Sequence, residues 1–271
     1  MPVSYLTITA RSLNQSASTR TYSVQLYFAI NSLLLVDDSA QASEVDSECR
    51  RYQQSTGKTN LTIGDIFRRN PRPLEENWRY PRASWGSIRL VTESVASVNC
   101  QSGTDVEMMQ QFIQHGKLSP NRGSVDQNET AIAFVHDLGQ MGGPNGSSKS
   151  VHYTFAHIRI PAVVSQNEQG SLPSLWEAYF DRNADRMMLF AYEDRSDALT
   201  RATTLDAKID HDCRSISNGS NSSSDAYREI VTYSLRQAFA SFELVGTRQR
   251  PWAMFKDEWA GACQPPERLG Y

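Results

Sequence analysis

The stretch DAYREIVTYSLRQAFASFELV, residues 225–245, places apolar side chains at Tyr227, Ile230, Val231, Leu235, Ala238, Phe239 and Phe242. Steps of three and four with adjacent pairs draw one broad stripe on a helix. Ser224 or Asp225 is expected to cap its first turn, with Arg228 and Glu229 on the wet side. Burying Ile230, Val231, Leu235, Phe239 and Phe242 would contribute roughly 1.5–3 kcal/mol each. So wide a stripe needs a partner surface, and few residues follow it. The helix is expected to pack on what precedes it or to belong to a larger domain outside this chain.

Upstream the period is helical back to Pro173. Leu175, Trp176, Tyr179, Phe180, Met187 and Met188 suit one helix broken near Asn183. Ser196 is expected to cap a second, carrying Leu199, Ala202, Leu205 and Ile209. NGSNSSSD, from Asn218, reads as a flexible connection into the last helix.

Before residue 165 the period is two. In SYLTITA, Tyr5, Thr7 and Thr9 alternate with Leu6, Ile8 and Ala10. Val24, Leu26, Phe28 and Ile30 point one way, and Ser23, Gln25, Tyr27 and Ala29 the other. The polar span between these two strands reads as a hairpin connection, and residues 37–60 as a long exposed loop. Further strands are expected at Trp85–Thr92, Ala131–His136 and Val151–Ile160. Val106–Gln114 fits strand or helix, and the turn-rich Gly139–Ser150 fits a loop. Strands followed by a block of helices give α+β order or two adjoining domains, a β-sheet unit joined to a short block of α-helices.

Composition narrows the function classes. The chain has 271 residues, 39% hydrophobic and 10% aromatic, enough for a real core. A net charge of −3 and a pI near 6.0 give no electrostatic case for nucleic acid or an anionic membrane. No apolar run reaches the roughly 18 residues needed to span a bilayer. MPVSYLTITA lacks the basic start and apolar core of a secretory leader, which predicts an intracellular location for the chain as written. Against that stand Asn-x-Ser/Thr sequons at Asn14, Asn60, Asn128, Asn145, Asn218 and Asn221, which favour a secreted glycoprotein. Cys49, Cys100, Cys213 and Cys263 allow three pairings, and a single disulfide competes evenly with unpaired cysteines.

Candidate chemistry is sparse. His136-Asp137 sits at a strand end, but neighbours on a strand face opposite ways and cannot act as a pair. His152 and His157 also fall on opposite faces, so they cannot chelate one metal. Asp210, His211, Asp212 and Cys213 are consecutive, which fits a polar helix end better than a metal site. Trp78, Trp85, Trp176, Trp252 and Trp259 could stack on sugars, though tryptophans are more often core anchors. Phosphate-loop, dinucleotide and nucleophile-elbow motifs are absent. No catalytic, cofactor-binding or metal residue is assigned.

Taken in order, SYLTI, YSVQLYFAI, ASWGSIRLVT, QSGTDV, AIAFVHDLG, LPSLWEAYF, LDAKIDHD and YSLRQAFASFEL resemble the fungal glutaminase A family. The likeness covers most of residues 3–245, with unlike insertions around 40–60. It implies a secreted protein with an N-terminal β-sandwich and a larger helical domain taken to be catalytic, hydrolysing L-glutamine to L-glutamate and ammonia. SYLTI resembles a position well inside that sandwich. PWAMFKDE resembles a segment just after the long helix, and from Trp259 the likeness stops. The resemblance therefore implies an incomplete sandwich over 1–168, the start of the helical domain over 169–245 and a divergent tail over 246–271. Relatives carry an uncharged residue where this chain has His136, so that histidine is not carried over.

The function expected is a non-catalytic, glutaminase-A-like fragment without cofactor, nucleic acid or membrane partner. L-glutamine would be a ligand of the full-length parent only, and exposed sheet edges predict self-association. One alternative is a β-sandwich module binding carbohydrate or cell-wall polymer. The other is a hydrolase with a reduced site around His136, His157 and Arg159.

Overall fold

The computed structural model describes residues 2–12, 20–36, 44–53, 59–70, 85–119, 130–143, 147–164, 170–216 and 221–255. The strands are β1 (Val3–Arg11), β2 (Thr21–Asn31), β3 (Val45–Gln53), β4 (Asn60–Arg68), β5 (Ser87–Glu93) and β6 (Val98–Gly103). They continue with β7 (Ala131–Gly142), β8 (Ser148–Ile158), β9 (Val163–Val164), β10 (Ser171–Leu172), β11 (Phe242–Gly246) and β12 (Pro251–Phe255). The helices are α1 (Asp105–His115), α2 (Leu175–Phe180), α3 (Ala184–Ile216) and α4 (Asn221–Ser241). The chain is α+β, as its sequence predicts.

Two antiparallel sheets make the β-sandwich, one ordered β1-β8-β5-β4-β3 and the other β2-β7-β6. Their facing sides bury Ile66, Ile88, Leu90, Ile132, Phe134 and Tyr153. Val24, Leu26, Phe28 and Ile30, the face selected by alternation, pack against this core. Tyr27 and Ala29 on the other side of β2 pack under α1, whose Met108 is fully buried. The segment that fits strand or helix is thus a helix, closed at Gly116 in the left-handed conformation. Met109 and Ile113 of the same helix face solvent.

Cys49 of β3 pairs with Gly64 of β4, and Cys100 of β6 pairs with Phe134 of β7 in the facing sheet. A Cβ on Gly64 would lie 2.5 Å from Ile132 Cδ1 and 3.0 Å from the Phe134 ring. The missing side chain lets the sheets approach, and a Cys49–Cys100 disulfide joins them. Cys213 is buried and carries no disulfide, and Cys263 lies outside the described residues.

The outer side of the larger sheet is equally apolar. Leu61, Ile63, Val91, Ala156 and Ile158 receive Trp176 of α2 and Met187, Met188 and Leu189 of α3. Beside this seat lies a charge cluster. Asp65, 2% exposed, accepts from Arg89 Nε at 2.5 Å and Nη2 at 2.8 Å. Asp185, in the first turn of α3, accepts from Arg89 Nη1 at 2.5 Å and from Arg50 at 2.7 and 2.8 Å. Three strands of the sheet thereby grip the start of one helix. Each bond joins a guanidinium to a carboxylate and is charge-assisted, with Asp65 buried and Asp185 half-buried.

Several expectations need correction. β1 and β2 are not a hairpin: β1 pairs with β8, β2 pairs with β7, and the two lie in different sheets. Residues 37–60 are not simply a loop, because β3 runs through them. Gly139–Ser150 is mostly strand, with β7 reaching Gly142 and β8 starting at Ser148. Ser196 caps nothing, since α3 continues through it. The last helix starts at Asn221 and ends at Ser241, leaving Phe242 to open β11. The stripe that predicts the helix is poorly covered: Ile230 is 64% and Phe239 58% exposed, while Val231, Leu235 and Phe242 are half-buried. Part of the expected divergent tail is ordered as β12, which places Met254 against Ala162 and Val163.

Replacing Asp185 by Asn should lower stability by roughly 1–3 kcal/mol, because Arg50 and Arg89 would lose the charge they share. Urea unfolding of the wild type and D185N checks this. An unchanged midpoint would show that the cluster does not fasten α3.

Candidate functional site

A cleft of about 760 Å³ opens where the start of β1, the end of β8, α2, the start of α3, the end of α4 and β11 meet. Local sequence explains most of its walls. The run Ser174-Leu175-Trp176-Glu177 starts α2 with a capping pattern: Glu177 reaches back to accept the Ser174 amide at 2.9 Å. Arg182 Nε then donates to the other Glu177 oxygen at 3.0 Å. Asp181 and Arg182 both take left-handed backbone, with φ of 52° and 59°, and turn the chain from α2 into α3. This is the break expected near Asn183. The turn brings Trp176, Tyr179, Phe180 and Phe190 to one cleft wall, and Phe239 and Phe242 form another. Arg248 stacks on Tyr179 with its guanidinium carbon 4.7 Å from the ring centre.

The charged element of the cleft is a buried pair. Arg159 Nη2 donates to Glu243 Oε2, and the two side chains are only 6% and 11% exposed. They tie the end of β8 to β11, and Arg159 also lies over the Trp85 ring. Because each charge meets its opposite, the cleft offers aromatic and aliphatic contact with a neutralised floor.

The histidines separate. His157 and Arg159 line the cleft, but His136 does not. His136 sits between the sheets, 5% exposed, and its Nε2 shares a 2.8 Å hydrogen bond with the Tyr153 hydroxyl. The reduced-site reading required His136, His157 and Arg159 to converge, and they do not. Asp137 turns outward and accepts the Gly139 amide at 2.8 Å, forming a bulge in β7. His152 lies within 3.1 Å of Thr7 Oγ1, away from the cleft.

Asp210 is a helix-pair tie. It accepts from Arg214 at 2.9 Å on its own helix and from Arg228 of α4 at 3.2 Å. Among the described residues no cluster of His, Cys, Asp and Glu could hold a metal ion. Of the tryptophans, Trp85 and Trp176 are buried, Trp252 is 39% exposed, and Trp78 and Trp259 lie outside the described residues. Trp85 donates to the Pro161 carbonyl at 2.7 Å. No described helix is long and apolar enough to cross a membrane.

Arg159–Glu243 and the Asp65–Arg89–Asp185–Arg50 cluster escape the sequence reading. Their partners are far apart in the chain. One signal was available: Asp65 is an acidic residue set between Ile63-Gly64 and Ile66-Phe67 in NLTIGDIFR.

A family model described as a domain of unknown function, DUF5127, matches residues 1–212. That range takes in the sandwich, α1, α2 and nearly all of α3. The chain belongs to this family. Among characterised proteins, this DUF5127 member is similar to glutaminase A of Aspergillus oryzae, at 24% identity over 262 residues. The match covers 94% of the chain and 34% of that protein, so the chain spans about a third of its relative's length.

Burial pushes the His136 ring down to about 4 from its ordinary 6.5. The buried neutral ring favours the folded state fully above pH 6.5. As pH falls from 6.5 to about 4 the unfolded chain takes up the proton first, and that stability is lost. The loss amounts to roughly 3 kcal/mol. His136→Gln keeps a hydrogen-bonding group and removes the titration, so urea midpoints across this range should slope less. An identical slope in wild type and H136Q would contradict the assignment.

Proposed function

We propose that this chain is the non-catalytic sandwich portion of a glutaminase-A-like protein, serving as a scaffold rather than turning over L-glutamine itself. The observation that carries this reading is the match to glutaminase A, which accounts for 94% of this chain but only 34% of that protein. The described chemistry supports it. Arg50, Arg89 and Asp185 hold a helix on a sheet, Arg159 and Glu243 hold β8 to β11, and His136 is spent on Tyr153. In this proposal L-glutamine is a ligand of the full-length protein, bound and hydrolysed by the part that lies outside the match.

An extracellular setting belongs to the same proposal. Cys49–Cys100 supports it, because such bonds persist in oxidising compartments. Recovery of the native protein solely from cell interiors would count against that part.

Ammonia release from L-glutamine by the purified chain tests the main claim. Release no faster than from a heat-inactivated sample is expected. Turnover well above that control would overturn the proposal.

A further inference from the structure

The disulfide does not lie in the middle of the core. Cys49 and Cys100 are half-buried residues on the edge strands β3 and β6, where the two sheets end side by side. A second groove, of about 520 Å³, runs along this edge and is lined by both cysteines. Its lining also includes Arg51 on β3, Asn99 on β6 and Lys117 just after α1. Both cations are exposed, and among the described residues neither has an ion-pair partner. The neighbouring Arg50 is occupied by Asp65, Asp185 and Glu48. In a protein of net charge −3, this groove is a local positive site set around a sulfur–sulfur bond.

That combination has a definite chemistry. Exchange requires a thiolate to reach a disulfide sulfur, and it speeds up when positive charge favours both the entering and the departing anion. We propose that Cys49–Cys100 is a thiol–disulfide exchange site for small anionic thiols, which reach it through the groove marked by Arg51 and Lys117. The entering thiolate forms a bond to one cysteine sulfur, the Cys49–Cys100 bond breaks, and the other cysteine leaves as a thiolate. A second molecule of the thiol, as thiolate, attacks the mixed disulfide and releases the reagent as its own disulfide. Two reagent thiols are oxidised, one protein disulfide is reduced, and the protons lost by the thiols end on the two cysteines. The product is a sandwich whose edges are held by packing and by the buried hydrogen bonds of Ser47 to Thr130 and Ala131.

This inference is independent of the glutaminase reading. It concerns the reactivity of the folded protein, and a disulfide sealed in a core would react only after unfolding.

The test uses the full chain and measures the rate at which Cys49 and Cys100 become alkylatable, located by peptide mass. Three reductants are compared at low salt and equal thiolate concentration: 3-mercaptopropionate, 2-mercaptoethanol and cysteamine. The anionic thiol should react fastest and the cationic one slowest, with a span of about tenfold. High salt should shrink the span in the wild-type protein. Arg51→Gln with Lys117→Gln should shrink it at low salt too. Equal rates for the three thiols would overturn the proposal. So would a rate no faster than global unfolding, or a span that survives both high salt and the double substitution. The salt series alone decides the matter if the double variant fails to fold.

Discussion

The five-stranded sheet has two apolar faces, and most of the structure depends on keeping both covered. Its inner face meets the three-stranded sheet through Ile66, Leu90 and Tyr153. Its outer face meets Trp176, Met187 and Met188. A strand such as β4 is consequently buried on both sides, with Leu61 and Ile63 turned to the helices and Ile66 turned to the sandwich. Removing either cover would expose a continuous apolar surface, which folded monomers rarely tolerate. The helices α2 and α3 therefore complete the sandwich rather than decorate it.

The charge cluster gives that contact its direction. Apolar packing alone would let α3 slide along the sheet. Asp185, held by Arg50 and Arg89 and backed by Asp65, fixes the first turn of the helix over β3, β4 and β5. From that anchor the cleft geometry follows, because the left-handed residues Asp181 and Arg182 then set the angle of α2. At the far end the arrangement loosens. Leu199 and Leu205 on α3 and Ile230 and Tyr233 on α4 are between 46% and 66% exposed.

Much of the fold was legible wherever one face of an element is wet. Alternation in YSVQLYFAI identified β2 and its inner face, and the change of period at Pro173 marked where the helical block begins, though not that one helix runs through Ser196. The missed strands failed for physical reasons. β4 is buried on both faces, so its sequence shows no alternation. β3 is an edge strand with Arg50 and Glu48 among its side chains, and reads as polar loop. The glycines after Asp137 suggested a loop, but a bulge at Leu138 leaves Gly139 paired with Val24 and keeps β7 paired to Gly142. The last helix was found from a stripe that the described residues leave largely uncovered, so its period was right while the inferred burial was not.

The site was less legible because its contacts join distant residues. His136 meets Tyr153 across the two sheets, and Arg159 meets Glu243 across 84 positions. Neither pairing has a local signature. The sandwich and the start of α3 should unfold as one cooperative unit, and the outer helices should open separately. Native-state hydrogen exchange tests it most directly. Amides of Met187–Ala191 should exchange together with those of β4 and β5, at the free energy of global unfolding, and amides after Leu199 should open far more easily. Exchange of the Met187–Ala191 amides well before the strands would show that α3 is not part of that unit.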